Sequence, residues 1–192
     1  MRLFVALYPP PAVREHLAAQ VARLAVGTAT AAGINVRLAD PANLHLTLAF
    51  LGEVDDDRQP EVEAALARAV ADRRRWAPTI PMVQGGGGGR FGRGPSTVLW
   101  AGIRGDVEGL NVLSRLVRLE LRQAGLPYDE KPFRPHLTIA RPGERIGAEG
   151  IAADQRVLDH YEGPLWPVTG MSLVRSHLGP HPRHDRLASW AF

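Results

Sequence analysis

Asn43-Leu44-His45-Leu46-Thr47-Leu48-Ala49-Phe50-Leu51-Gly52-Glu53-Val54 and Pro132-Phe133-Arg134-Pro135-His136-Leu137-Thr138-Ile139-Ala140-Arg141 share a four-residue core, His-x-Thr-x with an aliphatic residue at each x. The two histidines stand 91 positions apart (45 to 136), close to half of the 192-residue chain. Each copy lies in a strand-like run, and in a strand residues i and i+2 share a face. His45 with Thr47, and His136 with Thr138, therefore point one way, while Leu46, Leu48, Leu137 and Ile139 point into packing. Two similar lobes around a pseudo-two-fold axis would bring the His-Thr pairs face to face.

Working outward, apolar alternation predicts a strand over 2–8, ended by Pro9-Pro10-Pro11, which can open a helix over about 12–26. Two more helices are expected over 60–75 and 106–124, the latter with Asp106 as N-cap and Gly125 at its C-terminal end. Further strand-like runs cover 44–51, 79–83, 97–103, 136–141, 167–177 and 186–192, the last two joined through Leu178-Gly179-Pro180-His181-Pro182. Strands and helices alternate, but too irregularly for a doubly wound sheet. The expected class is α+β with largely antiparallel pairing. Gly85–Gly89 lacks the Gly-Lys-Ser/Thr of a phosphate-binding loop and is expected to be a flexible loop between strands.

Composition narrows the chemistry. The chain has no Cys, which excludes disulfides, thiolate nucleophiles and Cys-ligated metal, and suits a reducing compartment. No apolar run approaches the roughly 20 residues of a membrane span. The opening run Leu3–Leu7 is too short for a secretory signal, so cytoplasm is the expected location and no membrane partner is expected. Net charge is only +3, yet Lys131 is the single lysine among 23 Lys and Arg residues. Arg forks match phosphate oxygens bidentately, so an anionic ligand is allowed. His177, His181 and His184 lack a helical scaffold or a His-Glu-x-x-His pattern and are expected to be solvated imidazoles of a hairpin loop, so no metal is expected. His16 and His160 read as surface residues.

Paired histidines suit cleavage of a phosphodiester. One imidazole deprotonates the attacking oxygen, and the other protonates the departing one. The two threonine hydroxyls can donate to non-bridging phosphate oxygens, where charge builds. Neither metal nor cofactor is required.

With these residues in place, the double motif, the opening Arg2–Leu7 and the closing strand pair resemble the 2H phosphoesterases. Within them the match is to the RNA 2′,3′-cyclic phosphodiesterases, also called 2′-5′ RNA ligases. The resemblance spans essentially the whole chain, and it implies one bilobal domain over 1–192 made of two intertwined lobes, an internal duplication with its sheets around a central cleft and helices outside. It implies hydrolysis of RNA 2′,3′-cyclic phosphate ends to a 2′-phosphomonoester, with 2′-5′ ligation as the family's other activity. It also implies that His45 donates a proton to the leaving 3′ oxygen and His136 accepts one from water. The motif is symmetric, so the sequence leaves that order open. RNA ending in a cyclic phosphate is the expected partner of a monomer, with a nucleotide as a further occupant of the cleft.

The resemblance also gives Phe50 and Arg141, each five residues after its histidine, contacts to nucleobase and nucleotide. Such rings and guanidinium planes stack on bases. Five is an odd offset, and an ideal strand would turn both away from the histidines. They fit only if each strand ends or bends, and Gly52 and Pro142 sit just beyond; a core position for Phe50 stays open. Alternatives are a small cyclic nucleotide or 2′-5′ oligonucleotide as substrate, or a non-catalytic RNA-binding module.

Overall fold

In the computed structural model, which describes residues 1–179 and 183–192, the chain builds two four-stranded antiparallel sheets. The first joins β1 (Arg2–Leu7), β2 (Leu46–Glu53), β7 (Gly170–His177) and β8 (Arg183–Ala191) in the order β2-β1-β7-β8. The second joins β3 (Met82–Phe91), β4 (Val98–Gly105), β5 (His136–Ala140) and β6 (Trp166–Pro167) in the order β5-β4-β3-β6. The α+β, antiparallel expectation holds. Each sheet carries one His-Thr motif on its outer strand, next to the strand that opens its β-helix-β unit. The first sheet is closed by the last two strands of the chain, so the sheets are not sequence halves.

Helices α1 (Pro11–Val21), α2 (Ala25–Ala31), α3 (Gln59–Trp76), α4 (Val107–Gln123) and α5 (Ala148–Asp159) cover the sheets. Leu110, Leu113, Val117 and Leu121 form the buried stripe of α4, and Asp106 caps it by accepting the Gly109 N–H at 2.9 Å. One continuous core runs beneath both sheets, with Leu3, Val5, Leu7, Leu46, Leu48, Leu137 and Ile139 in it. The alternate residues Phe4 and Ala6 lie in a separate cluster with Val174, Tyr8 and Phe50, on the opposite face of the first sheet.

Several expectations change. The helix expected over 12–26 breaks at 22–24, because the buried Asp154 carboxylate on α5 accepts N–H bonds from Ala25 (2.6 Å) and Val26 (3.2 Å). That cap starts a second helix from 129 residues away, and burial raises the carboxyl pKa. Helix α5 was not expected, since Asp154 interrupts an apolar stripe reduced to Ile151 and Leu158. Gly85–Gly89 is not a loop but the middle of β3. The absent side chains there make room for others: a Cβ on Gly88 would collide with Leu158, and one on Gly89 with the Trp100 ring. Gly87, at φ 83°, holds the register shift in the β3–β4 pair.

The 167–177 run splits into β6 and β7, and β8 begins at Arg183, three residues before the expected start. Pro180, His181 and Pro182 lie outside the described residues, so the expectation for His181 is neither met nor changed.

Candidate active site

Each motif histidine is held by its own backbone. The His45 Nδ1 donates to the Asn43 carbonyl at 2.7 Å, and the His136 Nδ1 to the Arg134 carbonyl at 2.6 Å. A carbonyl only accepts, so the neutral form of both rings carries its proton on Nδ1 and leaves Nε2 as a free base. The segments just before those carbonyls are braced in turn. The Arg14 side chain on α1 donates to the Pro41 and Ala42 carbonyls at 3.3 and 2.8 Å, and Asp40 caps the short turn there through the Ala42 N–H at 2.9 Å. In the second lobe, Arg118 on α4 donates to the Lys131 carbonyl at 2.8 Å.

Both motif strands contain the same irregularity. On β2, Thr47 faces Ala6 and Ala49 faces Val5, so Leu48 is an extra residue. On β5, Thr138 faces Trp100 and Ala140 faces Leu99, so Ile139 is extra. A β-bulge at the same place in each copy buries two consecutive residues, Leu48-Ala49 and Ile139-Ala140, and shifts the alternation by one. After that shift, Phe50 and Arg141 return to the side of His45-Thr47 and His136-Thr138. The odd offset is thus accommodated inside each strand rather than at Gly52 or Pro142.

The lobes are stitched across each other. Segment 37–39, which leads into the first motif, lies along β5: the Ala39 N–H donates to Ile139 O at 2.9 Å, and the Arg141 N–H to Arg37 O at 3.1 Å. The segment leading into the second motif returns the contact, with the Asp129 N–H donating to Phe50 O at 2.7 Å. These bonds and the approach of β2 to β5 put the two motifs side by side.

The rings around the histidines differ. His45 is flanked by Phe4 (centroids 4.8 Å), Tyr8 (5.9 Å) and, edge-on, His184 (5.1 Å). His136 meets Phe91 edge-on at 4.9 Å and Trp100 at 5.9 Å. Burial is the main cause that lowers the His45 pKa from 6.5 to about 4, with the charges of His184, His136 and Arg141 adding to it. His136 is also lowered, first by burial and then by Arg141. Arg141 therefore stands within electrostatic reach of both imidazoles. Phe50 is half-buried, with the Arg2 guanidinium 4.7 Å over its ring.

His184 was missed by the sequence reasoning. It is no solvated loop residue: it lies in β8 opposite Ser176, packs on His45 and Phe4, and its Nδ1 is buried with no partner among the described residues. Two positions on, the Arg186 guanidinium lies 3.7 Å over the Tyr8 ring. The alternation His184-x-Arg186 was the available signal, and starting the last strand at 186 hid it. His177 turns elsewhere, to Asp185 at 2.7 Å. His16 and His160 are exposed as expected. Among the described residues no three His, Asp or Glu side chains converge as a metal site.

Comparison with known proteins adds the family and the fold. The family model of the 2′-5′ RNA ligase superfamily matches residues 9–180. An RNA 2′,3′-cyclic phosphodiesterase of Thermus thermophilus is 31% identical over 186 residues, which is 94% of this chain and 84% of that protein. Another, from Thermotoga maritima, is 32% identical over 73% of this chain and 70% of its own length. Among solved structures, the protein TT0787 of Thermus thermophilus superposes with a TM-score of 0.69 at 27% identity, covering 100% of this chain and 97% of that one. Escherichia coli LigT complexed with 3′-AMP gives 0.72 at 25% identity, covering 99% and 97%.

Proposed function

This chain belongs to the 2′-5′ RNA ligase superfamily, and from that premise we propose that it hydrolyses RNA 2′,3′-cyclic phosphate ends through its paired histidines. The observation that carries the reading is the duplicated histidine setting: two imidazoles, each with Nδ1 tied to the carbonyl two residues back and Nε2 free, on strands with the same bulge. A hydrolysis needs one base and one acid, and this arrangement supplies two imidazoles mounted alike for those two roles.

In the proposed reaction His136 Nε2 takes a proton from water as the water oxygen bonds to phosphorus. The P–O3′ bond breaks, His45 gives its Nε2 proton to the departing 3′ oxygen, and a 2′-phosphomonoester with a free 3′-hydroxyl leaves. The hydroxyls of Thr47 and Thr138 donate to the non-bridging oxygens, and Phe50 and Arg141 contact the nucleotide. The enzyme's two histidines end with their protons exchanged, and solvent resets them. His45 is neutral in the free protein, so the phosphate anion must favour its charged form on binding; an opposite charge a few ångströms away acts in that direction. With a 5′-hydroxyl in place of water, the same groups would form a P–O5′ bond as P–O3′ breaks, giving a 2′-5′ linkage and a free 3′-hydroxyl. The reading includes a monomer acting on RNA in the cytoplasm with no cofactor, and the cleft would also admit a free nucleotide.

The test is the fate of a short RNA ending in a 2′,3′-cyclic phosphate, incubated with chelator and resolved by phosphorus NMR. A 2′-monophosphate as sole product supports the reading. A 3′-monophosphate, or an unchanged end with the protein folded, overturns it. Turnover of 2′-5′ oligonucleotides without turnover of RNA ends would move the substrate, not the chemistry.

A further inference from the structure

Beside the histidines, and sharing Arg141 with them, lies a cavity of about 620 Å³ walled by Arg37, Arg141, Arg145, Glu144 and the Pro95–Val98 segment. Its volume falls in the range of sites that take a small ligand. Three arginines and one glutamate share its wall, and among the described residues none of the three arginine side chains has a hydrogen bond or an ion pair with the protein. Unpaired arginines that share a concave wall repel one another, and an anion between them removes that repulsion.

The backbone holds the wall in place. Arg37 is the one described non-glycine residue with positive φ, at 49°, a conformation that costs free energy for an L side chain. It is kept there from two sides: its N–H donates to Asn35 Oδ1 at 3.2 Å, and its carbonyl accepts the Arg141 N–H at 3.1 Å. Arg37 and Arg141 are thereby locked as backbone neighbours on the two lobes. Arg145 follows the turn at Gly143, where its N–H donates to the Pro142 carbonyl at 3.2 Å.

Resting on the reaction proposed above, we infer that this cavity holds the nucleotide on the 5′ side of the cyclic end. Arg37 and Arg145 grip the phosphodiester that joins it to the terminal nucleotide. Arg141 spans the two places: its charge reaches both imidazoles, and its side chain walls the cavity. An RNA entering this way has its last phosphate between the histidines and its penultimate linkage among the arginines. The Glu144 carboxylate in the wall can accept from a base amine. The enzyme is thereby a reader of polynucleotide ends, with a lone nucleoside cyclic phosphate as a poor substrate.

The experiment compares kcat/KM on adenosine 2′,3′-cyclic phosphate, on the dinucleotide ApA 2′,3′-cyclic phosphate, and on that dinucleotide with an uncharged methylphosphonate linkage. The wild-type protein is expected to favour the charged dinucleotide over the mononucleotide at least tenfold, and the methylphosphonate is expected to lose most of that preference. In Arg145→Gln, and in Arg37→Asn, chosen because Asn tolerates positive φ, the ratio is expected to fall toward one. Equal kcat/KM on all three substrates in wild type, or a preference that survives both substitutions, overturns the cavity's role while leaving the histidine chemistry standing. No turnover of any of the three overturns the reaction and this inference together.

Discussion

The stretches Asn43–Phe50 and Arg134–Arg141 are built alike and housed differently. Both hold the imidazole by an Nδ1–H bond to the carbonyl two residues back, both bulge after the threonine, and both are braced by an arginine from the helix that follows the neighbouring strand. The housing separates them. His45 is enclosed by Phe4, Tyr8 and a third imidazole, His184, and its pKa falls to about 4; His136 rests on Phe91 and Trp100 and is lowered less sharply. The bulge carbonyls differ as well. Leu48 O accepts the buried Ser114 hydroxyl of α4 at 2.9 Å, whereas Ile139 O accepts the backbone N–H of Ala39 at 2.9 Å. The comparison teaches that duplication supplies two copies of one geometry, and that unequal burial then makes them unequal acids.

The widest break in the comparison is removal of either ring. His45→Ala and His136→Ala are each expected to lower kcat on a cyclic phosphate end by about 10²–10⁴-fold, with far smaller effects on binding. Single-turnover rates and direct titration of the unreacted substrate separate the two. A variant at near wild-type rate removes its histidine from the mechanism.

The bulge can be weakened on one side only. Ser114→Ala strips the Leu48 carbonyl of its buried partner and is expected to cost about 1–3 kcal/mol of stability, read as a lower midpoint in urea. If the bulge sets the parity of Phe50, kcat/KM should fall with it while the β5 side is untouched. Unchanged stability would mean that Leu48 O finds another donor.

Acid tells the two lobes apart without mutation. His45 stays neutral in the fold down to about pH 4, but in the unfolded chain it charges near 6.5. Its contribution is therefore intact above pH 6.5 and is lost as pH falls toward 4, amounting to roughly 2 kcal/mol by pH 5. His45→Phe should flatten the fall in stability between pH 7 and 5, and His136→Phe should flatten it less. Parallel curves for wild type and His45→Phe would contradict the burial argument.

The smallest expected effect is on the position of the pH–rate profile. Both imidazoles are lowered in the free protein, so the optimum of kcat/KM should lie below pH 6.5. An anionic phosphate raises them in the complex, so the bell in kcat should sit at higher pH. Coincident profiles would mean that the substrate's charge does not reach the rings.

The parts of this site that were legible were those written as local repetition. His45-Leu46-Thr47-Leu48 and its partner announce the strand faces, because residue spacing in a strand fixes direction. What escaped notice depended on partners far along the chain. Nothing near Leu48 tells that an extra residue is tolerated there; the donor that satisfies its carbonyl, Ser114, is 66 residues away. Helix α2 starts on a carboxylate from α5. The glycine run, read locally, suggests flexibility, whereas Trp100 and Leu158 need those missing side chains. His184 was displaced from the site by a strand boundary set three residues too late.

The central claim is that two similarly mounted imidazoles have opposite duties, and a change of leaving group tests it most directly. A nucleoside 2′-(4-nitrophenyl phosphate) expels nitrophenolate, which needs no proton, while its attack by water still needs a base. The account predicts that His45→Ala regains most of the wild-type rate on this substrate and that His136→Ala stays depressed. Recovery of His136→Ala alone would reverse the assignment, and equal depression of both would contradict the division of labour.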